Sequence, residues 1–217
     1  MTLDMALQHR ALQELEWEPG VDSAHIGVIA DNGVVSLTGE VVSYVQKLAA
    51  ERAVKRISGV RGLVNGLAVA LNLEARRSDD GIARAAVQAL DWNSVVPKER
   101  IRVTVTHGHV RLEGIVPQYH QRAAAEAAIS HLTGVKSVSN MITLKPAVTA
   151  DDVKARIVAA FERHADIDAG NVVVETTGST VALSGQVRSW AERRAAEDAA
   201  WAAPGVVFVR DDITVAV

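Results

Sequence analysis

Val35-Ser36-Leu37-Thr38-Gly39-Glu40-Val41 is written twice more in this chain, as Val110-Arg111-Leu112-Glu113-Gly114-Ile115-Val116 and as Val181-Ala182-Leu183-Ser184-Gly185-Gln186-Val187. In each copy a Gly-Val pair follows 20 residues after the motif glycine: Gly59-Val60, Gly134-Val135 and Gly205-Val206. The motif glycines stand 75 and 71 residues apart, which exceeds the roughly 20–50 residues of a solenoid repeat. A unit of that length is a small domain with its own core, so the chain divides into three: residues 1–74, 76–146 and 148–217.

Each unit opens on apolar residues at helical spacing: Leu7, Ala11, Leu12 and Leu15; Ile82, Ala86, Val87 and Leu90; Val153, Ile157, Val158 and Phe161. Asp4, Asp79 and Asp151-Asp152 stand at or near the start of these helices, where carboxylates cap free N–H groups. Alternation follows at Ile26 and Val28, at Ile101, Val103 and Val105, and at Val172 and Val174. The turns Asp31-Asn32-Gly33, Thr106-His107-Gly108 and Thr177-Gly178-Ser179 then lead into the repeated motif, which predicts a hairpin. In the third copy the glycine sits one place earlier, which predicts a different turn type. A second helix starts near Tyr44, Tyr119 and Trp190. Ser43 to Gln46 and Ser189 to Glu192 fit capping boxes, and Pro117 suits a first helical turn. Gly59, Gly134 and Gly205 are expected to stop this helix. A last strand runs from Val60, Val135 or Val206, with Asn65, Asn140 or Asp211 at one equivalent place. The fold class is α+β: three tandem α-β-β-α-β units, each a three-stranded sheet covered by two helices.

Composition excludes several function classes. The 217 residues contain no Cys, so disulfides and thiolate sites are absent, and only 4% are aromatic, so the cores are aliphatic. No apolar run reaches the length of a membrane span, and the first ten residues do not read as a signal peptide, which sets a cytoplasmic location as the expectation. The net charge of -3 is unevenly spread. Residues 76–147 carry ten Lys and Arg against six Asp and Glu, a balance of +4, while the flanking units stand at -3 and -4.

The order α-β-β-α-β in about 70 residues, the strand Val-x-Leu-x-Gly-x-Val and the Gly-Val before a strand bearing Asn or Asp resemble the BON domain, named for bacterial osmotically inducible and nodulation proteins. The resemblance covers the whole chain. It implies a non-enzymatic protein of osmotic and envelope stress that binds phospholipid surfaces. It brings no catalytic residues, and it makes Gly39, Gly114, Gly185, Gly59, Gly134 and Gly205 fold determinants. One relative in the family couples the domain to potassium, so the cofactor expectation is none, with a potassium ion as the alternative. Many relatives are periplasmic, and the absence of a leader here favours the cytoplasmic type.

The residues themselves offer few chemical signatures: no Walker A motif, no His-Glu-x-x-His, no Gly-x-Ser-x-Gly. His107 and His109 flank a turn glycine without evident third and fourth metal ligands and read as solvated turn residues. Tyr44, Tyr119 and Trp190 are expected to complete the core of their own unit. Trp17 and Trp92 are expected to pack at a helix end or between domains, although a Trp exposed beside basic residues would suit a peripheral anchor. Arg100, Arg102 and Arg111 form the candidate contact to an anionic surface, with Arg100 and Arg102 alternating along one strand. The leading expectation is therefore a binding protein that meets anionic phospholipid or an envelope-associated partner through its basic middle domain. A potassium-responsive module and a protein-interaction array are the alternatives. The acidic net charge and the lack of an aromatic sheet face disfavour nucleic acid.

Overall fold

The computed structural model describes residues 3–97, 99–145, 153–163 and 171–216. Its elements repeat in three rounds. The first domain has α1 (Leu3–Trp17), β1 (Ile26–Asp31), β2 (Val34–Val41), α2 (Tyr44–Lys55), β3 (Gly62–Asn65) and β4 (Ala68–Val69). The second has α3 (Asp79–Trp92), β5 (Ile101–Thr106), β6 (His109–Val116), α4 (Tyr119–Ser130) and β7 (Ser137–Leu144). The third has α5 (Val153–Arg163), β8 (Val172–Thr177), β9 (Thr180–Val187), α6 (Trp190–Ala202) and β10 (Phe208–Val215). Asp151 and Asp152, the stretch from 146 to 149 and the Arg163 side chain fall outside what is described.

The repeated motif is the central strand of every sheet. β2, β6 and β9 each pair antiparallel with the strand before them and parallel with the strand after the second helix. The motif valines and leucines all point to one face: Val35, Leu37 and Val41, Val110, Leu112 and Val116, and Val181, Leu183 and Val187 are all buried. Both helices lie on that face and the other is open. Alanines at one equivalent position of the second helix, Ala50, Ala125 and Ala196, are fully buried, because a small side chain lets the helix backbone approach the sheet.

The turn glycines follow their positions. Asn32 (φ 48°) and Gly33 (φ 79°), like His107 (φ 54°) and Gly108 (φ 82°), supply two successive positive φ angles, the requirement of a type I′ hairpin turn. In the third copy only Gly178 (φ 58°) is positive, at the first central position, as in a type II′ turn. The motif glycines serve a close approach instead. A Cβ on Gly39, Gly114 or Gly185 would collide with the backbone carbonyl of His25, Arg100 or Asn171, and all three glycines have positive φ.

Several expectations are corrected. The apolar helix stripe is narrower than its spacing predicts: the third member of each set, Leu12, Val87 or Val158, points outward while the other three are buried. The second helices close at Lys55, Ser130 and Ala202, before the Gly-Val pairs. Gly59, Gly134 and Gly205 instead occupy the third position of a turn closed by Val60 N–H to Ile57 O, Val135 N–H to Leu132 O and Val206 N–H to Ala203 O. Their φ angles of 91–96° suit that place. The last strands begin two residues later than read, and in the first domain Gly66 interrupts the strand. Pro117 lies outside its helix, with Gln118 as the cap. Ser43 and Ser189 do cap, accepting from Gln46 N–H and Glu192 N–H, but the returning bonds from Gln46 and Glu192 reach Val42 N–H and Arg188 N–H, one residue before the cap.

The helix-start aspartates also do something other than cap. Ser78 caps α3 through Gly81 N–H, while Asp79 accepts from His107 N–H at 2.7 Å and Gly108 N–H at 2.9 Å, tying α3 to the hairpin turn. Asp4 repeats this with Gly33 N–H. These two backbone donors hold the Asp79 carboxyl below its ordinary 3.8. A group whose folded pKa is depressed stabilises above its unfolded pKa, and that contribution is lost as pH falls through the folded value. Asp79→Asn should therefore lower the melting temperature at pH 7, and its difference from the parent chain should shrink as pH drops below 3.8.

The largest correction concerns the helix-start aromatics. Each leaves its own domain for the next. Tyr44 packs against the core of the middle domain, where its hydroxyl meets the Val138 backbone. Tyr119 stacks on Trp201 of the third domain with centroids 4.8 Å apart and planes 11° from parallel. Trp190 packs on the core of the first domain and donates its indole N–H to Val60 O at 2.7 Å. First to second, second to third and third to first, the three contacts close a ring. Burial between domains pushes both tyrosine hydroxyls above their ordinary 10.0.

Candidate functional site

The basic residues of the middle domain are placed by its sheet. Strand β5 begins at Ile101, so Arg100 precedes it, and its carbonyl is the one that abuts Gly114. Arg102 lies opposite Glu113 and Arg111 opposite Thr104. Both arginines are on the open face of the sheet and exposed. Arg111 reaches Glu113 at 3.5 Å, so part of its charge is compensated. Neither Arg100 nor Arg102 has a carboxylate within ion-pair distance among the described residues.

Trp92 stands at the same end of the domain. Because Asp79 binds the β5-β6 turn, α3 runs antiparallel to β5 from that turn. Fourteen helical residues span about 21 Å and six strand residues about 20 Å. The end of α3 therefore lies over the start of β5, on the helix-covered side of the sheet, while Arg102 stands on the open face at that same end. Trp92 is 83% exposed, and Val95 and Ile115 at this end are exposed as well. The indole thus does not pack as expected; it projects into solvent at the end of the domain where β5 begins. Trp17 is equally exposed, at 85%, with Arg10, Glu14 and Arg56 around it, in a unit whose balance is -3. The exposure of Trp92 was not legible in sequence, because a Trp closing an amphipathic helix is compatible with either fate.

The remaining candidates separate from this end. His107 and His109 lie at the opposite end, at the hairpin turn; His109 Nδ1 is 2.7 Å from Ser137 Oγ. Among the described residues no three His, Asp or Glu side chains assemble as a metal site, and no helix is long and apolar enough to cross a membrane. The six repeated glycines lie within the fold, at the turns and close approaches described above. Asn65 and Asn140 brace the last strand from behind, donating to Glu51 and Glu126 and accepting from Leu67 N–H and Ile142 N–H. Asp211 takes this place in the third domain, where Arg193 reaches it at 2.6 Å.

The family model of the BON domain matches residues 4–70, 78–146 and 149–217. Osmotically-inducible protein Y of Escherichia coli (strain K12) is 31% identical over 152 residues, spanning 65% of this chain and 73% of the relative. Among solved structures, CdsD, a structural protein of the type III secretion system of Chlamydia trachomatis, is 15% identical with a TM-score of 0.27, over 97% of this chain and 92% of that one. The PrgH periplasmic domain is 11% identical with a TM-score of 0.23, over 88% of this chain and 95% of that one.

Proposed function

We propose, from the premise that this chain belongs to the BON domain family in all three of its domains, that it is an osmotic-stress binding protein that docks on anionic phospholipid surfaces through the basic end of its middle domain. The family and its osmotically inducible relative are non-enzymatic, and the reading is one of binding. The observation that carries it is that the exposed Trp92, Arg100 and Arg102 all lie at the same end of the middle domain. An indole suits the headgroup level of a bilayer, where its apolar body and polar N–H are both satisfied. Basic residues at an anionic surface contribute about 1 kcal/mol each. The +4 balance of the middle unit adds long-range attraction, and the acidic flanking domains orient that unit toward the surface.

Co-sedimentation with vesicles tests this. The intact chain should bind vesicles containing anionic lipid and not purely zwitterionic ones, with binding weakened by salt. Arg100→Ala with Arg102→Ala should lower affinity about 20- to 30-fold at two charges of roughly 1 kcal/mol each. Unchanged binding in that double variant contradicts the assignment of the face. The measurement is run in matched potassium and sodium chloride. Equal binding agrees with an electrostatic contact, whereas a response to potassium alone supports an ion-responsive module instead.

A further inference from the structure

Four of the six Trp and Tyr residues of this chain meet in one place. Tyr44, Tyr119, Trp190 and Trp201 line a cleft of about 870 Å³ enclosed by α2, α4 and α6, one helix from each domain. That volume falls in the range of small-molecule sites, roughly 300–1,000 Å³. Tyr119 and Trp201 are stacked on each other and Arg193 sits 5.0 Å over the Trp190 ring, so Tyr44 is the ring of the four without an aromatic or cationic partner among the described residues.

The charges around the rings are of both signs. Glutamates at one equivalent position of the three helices, Glu51, Glu126 and Glu197, all line the cleft. Two of them are engaged within the protein: Glu51 with Lys55 at 2.7 Å and Glu197 with the Trp201 indole. Glu126 accepts only from the neutral amide of Asn140, at 3.0 Å, and has no cationic partner among the described residues. On the basic side, Arg56 is drawn to Glu14 and Glu18, and Arg194 stands 3.7 Å from Asp198. The guanidinium groups of Arg52 and Arg122 have no partner among the described residues. The lining holds five Lys and Arg against four Asp and Glu, so a ligand with a large net charge of either sign gains little.

We infer that the cleft between α2, α4 and α6 binds a small zwitterion that joins an alkylated ammonium to a carboxylate. An alkylated ammonium has few or no hydrogens to donate, so it is held by aromatic faces and by a nearby carboxylate, the roles open to Tyr44 and Glu126. The carboxylate end takes charge-assisted hydrogen bonds from a guanidinium, the role open to Arg52 or Arg122. Because all three domains contribute walls, binding belongs to the closed ring. It is independent of the surface contact proposed for the middle domain.

The test uses the full chain carrying Trp17→Phe and Trp92→Phe, two exposed positions outside the cleft, so that only Trp190 and Trp201 emit. Titration with trimethylglycine should give a saturable change in emission at millimolar concentration, with glycine, acetate and tetramethylammonium each at least tenfold weaker. Glu126→Gln keeps an acceptor for Asn140, and Arg52→Ala removes an exposed side chain, so neither threatens the fold. Each should raise the dissociation constant about five- to tenfold by removing one charge contact. A response that stays linear, that glycine reproduces, or that neither variant alters overturns the inference. Saturation by tetramethylammonium as tight as by trimethylglycine reduces the cleft to a cation site and overturns the zwitterion.

Discussion

Gly114→Ala is expected to unfold the middle domain. The added Cβ would meet the carbonyl oxygen of Arg100, a backbone atom that cannot swing aside like a side chain. Gly114 also has φ 154°, within the region that favours glycine. Its strand, β6, is hydrogen-bonded on both sides, so a shift there disturbs the register with β5 and with β7. Substitution of alanine where the native conformation excludes it costs more than the roughly 1 kcal/mol scale of compatible glycine changes, and here a steric clash adds to it, for a total of about 3 kcal/mol or more. A domain of about 70 residues holds only about 4–10 kcal/mol in all. Urea unfolding of the chain should begin at markedly lower denaturant, starting in the middle domain. Gly39→Ala and Gly185→Ala should do the same, starting in the first and third domains. Gly134→Ala, whose Cβ faces the side chains of Arg77 and Ile82, should be milder, about 1–2 kcal/mol. Equal effects at Gly114 and Gly134 would show that backbone proximity is not what the motif glycine provides.

The second large effect is expected at Trp190. Trp190→Ala removes the contact that closes the ring, because the first and third domains have no direct chain connection. The loss comprises the indole packed on the first core and the bond to Val60 O. Truncating a fully buried Trp costs about 3–5 kcal/mol, and this one is half-buried, so about 2–3 kcal/mol follows. The more specific outcome is in the shape of the transition: cooperative unfolding should separate, with the third domain melting apart from the other two. Trp190→Phe retains an aromatic ring and loses the N–H, and should cost about 1 kcal/mol, the net worth of one hydrogen bond. A chain that keeps a single sharp transition in Trp190→Ala would show that this junction does not couple the domains.

The two substitutions mark the boundary of what sequence conveys. The hairpin, the parallel return strand and the threefold repetition follow from alternation, turn glycines and spacing, all of which act within about 70 residues. The ring does not. An aromatic at the start of an amphipathic helix is apolar in the same way whether it faces its own core or a neighbour's, so Tyr44, Tyr119 and Trp190 gave no signal of direction. The recurrence of an aromatic at one position in a chain with few aromatics was the only trace. Asp79 shows a similar ambiguity: a carboxylate in a first helical turn satisfies the helix dipole locally, yet the two amides of the β5-β6 turn offer better-directed donors. For the basic end, the charge balance and the arginine positions were legible. The placement of Trp92 at the same end of the domain as Arg100 was not, because it depends on α3 and β5 having matched lengths and opposite directions.

The glutamate triad has the same origin. Glu51, Glu126 and Glu197 fall on a repeating position after Ala-Ala, and in any one domain each would read as a solvated helix residue. Only the assembly of three helices turns the equivalent positions toward one cleft. Tandem duplication thus creates surfaces that a single domain lacks, and subsequent differences, such as Arg52 opposed to Ala127 and Asp198 at one equivalent place, make each wall distinct.

The most direct measurement of the proposed function follows Trp92 itself. In a chain carrying Trp17→Phe, the remaining indoles other than Trp92 lie between domains, so a change at the surface is reported by Trp92 alone. Anionic vesicles should shift its emission to shorter wavelength, and about 0.5 M salt should reverse the shift by screening the arginines. Neutral vesicles should leave it unchanged. An emission spectrum insensitive to anionic vesicles, or shifted equally by neutral ones, would contradict docking through the basic end of the middle domain.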